Sequence, residues 1–505
     1  MADSSKVIGF IDIGTNSIHI LVVRFFGNSM GTPIFQDKES VRLGQYLFEH
    51  GHIDPKTIEK TRIVVSNFVK ISKDLGAEKI FAYATCAARE ATNRKELLDA
   101  MKVEGLDVKV ISGYEEARLI RLGLFGYDGP PQRTLGIDIG GGSTEIILCK
   151  GKEDLFLDSL SLGSVRLAYG FENDPLKALS FQEYDFIRRH VDMMSYHTCR
   201  KVREIGFDNA YGSSGTMIAL AKLCAAKRDG DDSYMMYYEL VEVMKELYSK
   251  DAEERKEVLG MNPARADIIV SGGAIAEELM YLLGIDRIEI SENGLKQGME
   301  MDYLLTNGYS DFNIRDSAVL NLANRCQYDA LHAETVRKNA LYLFDRMKEL
   351  GIHYMGSDIR ALLSYAAVLH DIGEFISYPK HHLHSYIIIL NSYLPGFDNE
   401  ELRTMALLAK AHHGTFPTQR SKQFEDLDSN EVADILRCAM MLKIADILDR
   451  RRNSSVDTID ISATSEEVTM NLRSESDVSM EIWKLKTIEK EFKAVFGLSL
   501  KIKKS

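Results

Sequence analysis

The sequence of 505 residues has no Cys-x-x-Cys pair, no long apolar run and no excess of basic charge. Each absence excludes something. Six cysteines, at positions 86, 149, 199, 224, 326 and 438, are scattered. They read as buried thiols in a reducing compartment, not as a disulfide frame or a zinc site. The longest apolar runs, such as Ile387-Ile388-Ile389-Leu390, are far short of a membrane span. Met1-Ala2-Asp3-Ser4-Ser5-Lys6 leads straight into an apolar strand pattern, without the layout of a secretory signal. The expectation is therefore a cytoplasmic protein with no membrane partner. A formal net charge of -13 argues against a dedicated nucleic-acid binder. It leaves room for a local basic groove that takes a polyanion. No Gly-x-x-x-x-Gly-Lys-Ser/Thr occurs, and no Gly-x-Gly-x-x-Gly follows the first strand, so neither a P-loop nor a dinucleotide fold is supported.

What is present is an internal echo. Ile11-Asp12-Ile13-Gly14-Thr15-Asn16-Ser17-Ile18 resembles Ile137-Asp138-Ile139-Gly140-Gly141-Gly142-Ser143-Thr144. Each follows an apolar strand pattern and leads into another, which predicts two hairpins on tight Gly turns and a duplicated α/β lobe. Helical spacing over 56–75 and 93–101, with strand patterns at 79–84 and 108–111, fills the first lobe. Two strand–turn–helix units follow: 204–210 into Gly212-Ser213-Ser214-Gly215-Thr216, and 267–270 into Ser271-Gly272-Gly273 with a helix over 274–283. From 315 to about 450 the spacing is helical, at 332–350, 358–372, 401–412 and 431–450, with 420–430 a polar loop. The tail reads as strands at 456–462, 467–473 and 498–503 around a helix at 484–496. A chain this long exceeds one hydrophobic core. The expected domains are 1–125, 126–308, 309–453 and 454–505.

The second turn, Asp138-Ile-Gly-Gly-Gly-Ser-Thr-Glu145, carries the chemistry. Glycines let backbone N–H groups approach an anion closely, and Ser143 and Thr144 add hydroxyl donors. Asp138 and Glu145 repel phosphate, but they can hold a divalent cation that also touches phosphate oxygens. A plain Gly-rich hairpin explains one such turn. The repeat at 12–17, and Gly212–Thr216 before a helix N-terminus, weigh against that for the set. Elsewhere two readings stand side by side. Glu115 and Glu116 either start a solvated helix face, paired with Arg118 and Arg121, or carry chemistry. Arg89 alone reads as a surface cation, and Cys86 as a small buried residue.

Six motifs in order resemble the exopolyphosphatase / guanosine pentaphosphate phosphohydrolase family. They are Asp12-Ile-Gly-Thr-Asn-Ser17, Ala84-Thr-Cys-Ala-Ala-Arg89, Ile111-Ser-Gly-Tyr-Glu-Glu-Ala-Arg118, Asp138–Glu145, Gly212–Thr216 and Ser271-Gly-Gly273. The resemblance covers residues 7–305 strongly. It implies an α/β fold of two ribonuclease H-like lobes, as in actin, sugar kinases and heat-shock chaperones, followed by an all-α HD-like domain and a small α+β domain. It implies Glu116 as catalytic base and Arg89 as the arginine that closes on a terminal phosphate. Asp138 and Glu145 become ligands of Mg2+ or Mn2+, with Asp12 a further carboxylate for an ion or a water. Asn16, Ser17, Gly141, Gly142, Ser143, Thr144, Gly212, Ser213, Ser214 and Gly215 become phosphate-binding positions. The expected function is an exopolyphosphatase that releases orthophosphate from the end of linear inorganic polyphosphate; the alternatives are a guanosine pentaphosphate phosphohydrolase and a nucleotide- or polyphosphate-binding regulator with a separate HD-type phosphohydrolase site. No nucleic-acid partner is expected, and the resemblance implies a homodimer.

The helical region holds a second pattern. Ala366-Ala-Val-Leu-His370-Asp371 places adjacent His and Asp after an apolar helix. His332 lies upstream, His384 and His412 downstream, and Asp446 closes the order, which resembles HD-type metal phosphohydrolases. Imidazole with carboxylate suits a first-row divalent metal. In well-known bacterial members of the family the His-Asp pair is degraded; here it is intact. A second divalent metal is one expectation, and a vestigial helical domain is the other.

Overall fold

In a computed structural model of the chain, the described residues are 5–26, 31–171, 174–307, 314–392, 394, 397, 399–425, 427–453 and 456–504. Contacts divide the chain into two compact units, Met1–Phe312 and Asn313–Ser505. Among the described residues no helix is long and apolar enough to cross a membrane.

The first unit begins with a strand whose middle is apolar on both faces. In β1 (Ser5–Ile13) Phe10 and Ile11 are fully buried, as a strand covered on both sides requires. Gly14 turns it into β2 (Ser17–Phe26), with Ile13 opposite Ile18 and Asp12 opposite His19. β3 (Thr32–Ser40) extends the hairpin. β4 (Lys79–Ala84) returns parallel beside β1 after the helix Pro55–Asp74, and β5 (Val108–Val110) ends the sheet order β3-β2-β1-β4-β5. That helix starts where Asp54 accepts from the Lys56 and Thr57 amides with Pro at the first position, a strong start signal.

The second half of the unit repeats the plan. β6 (Thr134–Ile139) is buried at every position. It pairs antiparallel with β7 (Thr144–Lys150), which pairs with β8 (Glu153–Leu160). β9 (Asn209–Ser213), β10 (Tyr234–Met236) and β11 (Arg287–Ile290) complete the order β10-β11-β9-β6-β7-β8, with β9 parallel to β6. Each sheet has its own apolar core. Both sheets therefore open on a hairpin closed by a tight Gly turn.

Two expected strands are corrected. Residues 267–270 are not a strand, because the helix Ile269–Leu283 has already begun there and Ser271-Gly272-Gly273 lies inside it. A short apolar run cannot distinguish a buried strand from a buried helix. The glycines serve close packing: a Cβ on Gly273 would lie 2.2 Å from Met244 Sδ, and one on Gly272 2.5 Å from Thr216 Cγ2. Likewise the helix Phe181–Ile205 takes the start of the expected 204–210 strand. It stops at Gly206, whose φ of 76° only glycine adopts freely, and β9 begins after it.

In the second unit the helices Ala330–Glu349, Ser357–Leu369, Asn399–Ala411 and Ser429–Leu448 match the expected segments within a few residues. A short helical turn at Lys422–Phe424 interrupts the 420–430 segment, with Phe424 buried. The tail folds as β12 (Thr458–Ala463), β13 (Glu467–Arg473) and β14 (Ser499–Lys504), with two helices, Ser479–Thr487 and Glu489–Phe496, in place of one. Its Val468, Met470, Leu472, Leu485 and Phe492 share one core with Leu363, Met405 and Met441 of the helices.

Candidate active site

The two turns are built alike. The Gly14 amide donates to the Ser17 carbonyl at 3.1 Å, and the Gly140 amide to the Ser143 carbonyl at 2.9 Å. In the second hairpin, β6–β7 pairing sets Asp138 directly opposite Glu145, and β6–β9 pairing sets it beside Ser213. The Ser213 hydroxyl donates to Asp138 Oδ2, and the Ser159 hydroxyl donates to Glu145 Oε1 at 2.8 Å. Two side chains of one hairpin thus become adjacent acceptors without any long-range search.

Glu116 arrives on a helix that packs against β7 and β8, with Ala117 and Ile120 against Ile147. Ser112 caps the helix Gly113–Phe125 by accepting from the Glu115 amide at 3.1 Å. Glu116 therefore sits in the first turn, where the helix dipole favours a carboxylate. That helix is clamped against the helix Leu295–Thr306: a Cβ on Gly298 would lie 1.8 Å from the Leu119 carbonyl oxygen. Glu116 is buried, whereas Glu115 faces outward and pairs with Arg118 at 2.8 Å. Of the two open readings for this pair, the solvated face belongs to Glu115 alone.

Burial raises the pKa of every carboxylate in this centre. Asp12 is pushed up to about 8 by burial and by Glu116 and Asp138, with Lys296 opposing. Glu116 is held at about 7, raised by burial and pulled back by the Arg89 guanidinium. Asp138 reaches about 6, raised by burial and lowered by the Ser213 hydrogen bond. Glu145 lies well above its ordinary range, through burial and then the Glu116 and Asp138 charges. Asp12, Glu116 and Glu145 each feel the charge of neighbouring carboxylates, which disfavours their ionisation together. Asp12 Oδ1 and Asn16 Oδ1 are buried without a hydrogen-bond partner among the described residues. An all-oxygen donor set with an orphaned carboxylate oxygen fits a hard divalent cation such as Mg2+.

Arg89 Nη1 donates to Glu116 Oε2 at 2.6 Å and to the Ile111 carbonyl at 3.1 Å. Among the described residues, its Nε and Nη2 make no hydrogen bond, so part of the fork is open to a ligand. The expected phosphate positions divide. The Gly141 and Gly142 amides donate to no carbonyl among the described residues, which keeps them available to an anion. Thr144 and Ser213 do not fit as hydroxyl donors to phosphate. Thr144 is fully buried with its hydroxyl donating to the Leu162 carbonyl at 2.7 Å, and the Ser213 hydroxyl is spent on Asp138. The Ser17 hydroxyl pairs with His19 Nε2 at 2.9 Å. The Ser214 hydroxyl donates to the Ile139 carbonyl at 2.7 Å, with Ser214 at φ 88°, a strained setting for a non-glycine residue. Gly212 is buried within β9, and a Cβ on Gly215 would collide with the Arg265 guanidinium at 1.9 Å.

That last contact reveals residues the motifs did not. Lys38, Arg265 and Lys296 all push down the His19 imidazole, so the three cations gather around the first turn. Among the described residues none of them forms an ion pair within 4 Å. Arg166 is a further tie. Its Nε donates to the Gly142 carbonyl at 2.7 Å, and its Nη2 to Glu90 at 2.6 Å and to Cys86 Sγ at 3.2 Å. None of these cations sits in a recognisable pattern, so only the fold brings them together. Burial pushes the Cys86 thiol up to about 12, away from the thiolate form that a nucleophile uses.

In the second unit His332, His370, Asp371, His412 and Asp446 converge as expected. His384 does not belong to the group; His381 takes that place, 3.2 Å from Asp371 Oδ1. The helix His381–Leu390 meets Asp371 with its first residue, and His384 is about 4.5 Å further along the axis. His382 and His413 join the cluster and were not foreseen.

Matching Gly turns around a buried acidic centre are the arrangement that phosphoryl chemistry uses. Comparison with known sequences makes the class specific. A model of the Ppx/GppA phosphatase family matches residues 22–307, and one of Ppx/GppA phosphatase domain III matches residues 314–491. The chain belongs to the Ppx/GppA phosphatase family. Among curated relatives, the guanosine-5'-triphosphate,3'-diphosphate pyrophosphatase of Vibrio vulnificus is 29% identical over 474 residues, 93% of this chain and 92% of that protein. The protein of that name from Vibrio atlanticus is 30% identical over 441 residues, 86% of each. Among solved structures, an exopolyphosphatase from Cytophaga hutchinsonii aligns at TM-score 0.55 and 26% identity, over 60% of this chain and 98% of that one. An Aquifex aeolicus family member aligns at TM-score 0.51 and 25% identity, over 61% and 100%.

Proposed function

We propose that the chain hydrolyses the terminal phosphoryl group of a linear phosphoanhydride, with inorganic polyphosphate as substrate and orthophosphate as product. The observation that carries this reading is the Arg89–Glu116 pair beside the buried carboxylates of the second turn. Glu116, held near neutrality, is suited to take the proton of an attacking water. The free nitrogens of Arg89 and the Gly141 and Gly142 amides are placed to donate to phosphoryl oxygens as charge builds there. Asp138 and Glu145 would hold the divalent cation, with Asp12 on the facing turn. When bound, the cation supplies charge neutralisation at the phosphoryl oxygens. Lys38, Arg265 and Lys296 offer unpaired positive charge for the rest of a polyanion.

A second reading is favoured by the Vibrio relatives, whose names specify guanosine-5'-triphosphate,3'-diphosphate and whose match spans 93% of this chain in the first case. Under it, the same residues cleave the terminal phosphate of guanosine pentaphosphate. Phosphate release from defined polyphosphate lengths and from the guanosine nucleotide, with Mg2+ or Mn2+, decides between them by kcat/KM. In either case Glu116→Gln should slow release roughly 10²–10⁴-fold. Full activity in that variant removes Glu116 as the base.

A further inference from the structure

Each Gly turn of the first unit is tied to the start of a helix. The Thr15 carbonyl accepts from the Gly44 amide at 2.9 Å, and the Asn16 carbonyl from the Val41 and Arg42 amides at 3.2 and 2.9 Å. These amides lie at the entry of the helix Leu43–His50. In the second turn the Gly140 carbonyl accepts from the Ser164 amide at 3.0 Å, and the Gly141 carbonyl from the Val165 and Arg166 amides at 2.9 and 3.0 Å. These begin the helix Ser164–Gly170. In both turns, two successive amides of a valine and an arginine share one carbonyl.

The side chains of these two arginines cross in opposite directions. Arg42 precedes Leu43 and Leu47, which lie in the core of the first sheet. Its Nη1 donates to Asp267 Oδ2 at 2.6 Å, and its Nη2 to Asp267 Oδ1 at 3.2 Å and to the Ala264 carbonyl at 2.9 Å. The Tyr169 hydroxyl donates to the same Oδ2 at 2.6 Å. Asp267 precedes Ile269 and Val270, which lie in the core of the second sheet. A two-pronged guanidinium–carboxylate contact is both strong and directional. Arg42 holds it at φ 58°, a setting that costs energy and persists where the surroundings fix it. Arg166 precedes Leu167, in the core of the second sheet. Its Nη2 donates to Glu90 at 2.6 Å, on the short helix Cys86–Glu90 that carries Arg89 and sets Ala87 and Ala88 in the core of the first sheet. Its guanidinium lies 4.4 Å from the centre of the Phe48 ring. The seam between the turns has no slack: a Cβ on Gly142 would lie 2.6 Å from Cys86 Sγ and 2.7 Å from Thr15 Oγ1.

We propose that Arg42 and Arg166 form a reciprocal clasp between the two sheets, which keeps both Gly turns and Arg89 in register around one phosphoryl group. Both are positioning residues and act through the groups they hold. The clasp stands on this geometry alone; its effect on rate rests on the hydrolytic reading above. Each arginine joins the helix start that shapes its own turn to the opposite sheet. Arg166 also ties the site directly, because its Nε holds the Gly142 carbonyl while its Nη2 holds the residue next to Arg89. The Gly141 and Gly142 amides and the Arg89 fork then keep one spacing. A misplacement of about 1 Å in such a spacing costs on the order of 10²-fold in rate. With one arm cut the other still holds, so the two arms are coupled and their losses are not additive.

The test uses the full-length chain with spin labels at Lys70→Cys and Lys201→Cys. These positions are exposed, on helices packed against the first and second sheet, and the six native cysteines are buried. Double electron–electron resonance reads the label separation without substrate. Kinetics on inorganic polyphosphate with Mg2+ reads kcat and KM. The labelled parent should give one narrow distance. Arg42→Ala with Arg166→Ala should broaden it and lower kcat roughly 10–10²-fold, with KM changed less than about threefold. Asp267→Asn with Glu90→Gln keeps the side-chain shapes and removes the charges. It should act in the same direction to a smaller degree, and it serves where the double alanine protein fails to fold. A broad distance in the parent, or one that stays narrow in the variants, overturns the clasp. A broadened distance with unchanged kcat overturns the positioning role. Absence of hydrolysis by the parent overturns the hydrolytic reading and the positioning role with it, while the distances still decide the clasp.

Discussion

The two Gly turns of the first unit share a backbone plan and differ in chemistry. Each carries an aspartate at the end of the first strand and closes with the same amide-to-carbonyl bond. Opposite Asp12 stands His19; opposite Asp138 stands Glu145. On the parallel side Asp12 neighbours Tyr83 in register, and Asp138 neighbours Ser213. Only Asp138 gains both a hydroxyl donor and a second carboxylate. Asp12 gains neither, and burial holds it at about 8 against about 6 for Asp138. The lesson is that a duplicated turn supplies position, while the residue across the strand pair decides what that position can bind.

The hardest strain on this comparison is to neutralise each aspartate in turn. Asp138→Asn removes one of two adjacent acceptors and should lower phosphate release roughly 10²–10³-fold, as loss of a main electrostatic support does. Asp12→Asn removes a carboxylate with no paired partner, and the expected loss is about tenfold. Steady-state kinetics on one substrate at saturating Mg2+ measures both. Equal losses would mean that the turns share the cation equally.

The next effect is on stability. The carboxyls of Asp12, Glu116 and Asp138 have folded pKa values above the ordinary carboxylate range. The folded state then binds more protons than the unfolded chain. Stability from this source is full below the ordinary range and is lost as pH rises towards about 8. A bound cation reverses that cost. Melting of the metal-free protein should fall between pH 5 and pH 8, and saturating Mg2+ should restore roughly 5 °C at pH 8 and much less at pH 5. Thermal unfolding followed by circular dichroism reads this directly. A Mg2+ effect that is independent of pH would place the ion away from these carboxylates.

How far the site could be read in advance follows from the same pairing rule. Asp138 and Glu145 are seven apart around a tight turn, and the register that the turn fixes puts them opposite each other. Glu116 and Arg89 were legible only through the motif order, because their contact joins residues 27 apart by way of a strand and a helix cap. Thr144 was misassigned as a phosphate donor because its hydroxyl goes to Leu162 on the neighbouring chain segment, a partner that no local pattern names. Lys38, Arg265 and Lys296 could not be read at all, since isolated cations acquire meaning only when folding gathers them. The lobes were clear from the repeated hairpins. The 267–270 segment was not, because a helix buried on every side has no polar face to mark its period.

The smallest expected effect separates Ser213 from the residues that touch substrate. Its hydroxyl donates to Asp138 and lowers that carboxyl against burial. Ser213→Ala should therefore raise the Asp138 pKa and weaken cation binding, with kcat reduced only a few-fold at saturating Mg2+. The signature is a higher Mg2+ requirement that eases as pH rises. A hydroxyl that instead contacted phosphate would, when lost, change KM for the substrate at every Mg2+ concentration. The two outcomes are distinct. They test whether the second turn differs from the first because of its strand neighbours, since Ser213 is the neighbour whose counterpart beside Asp12 is a tyrosine.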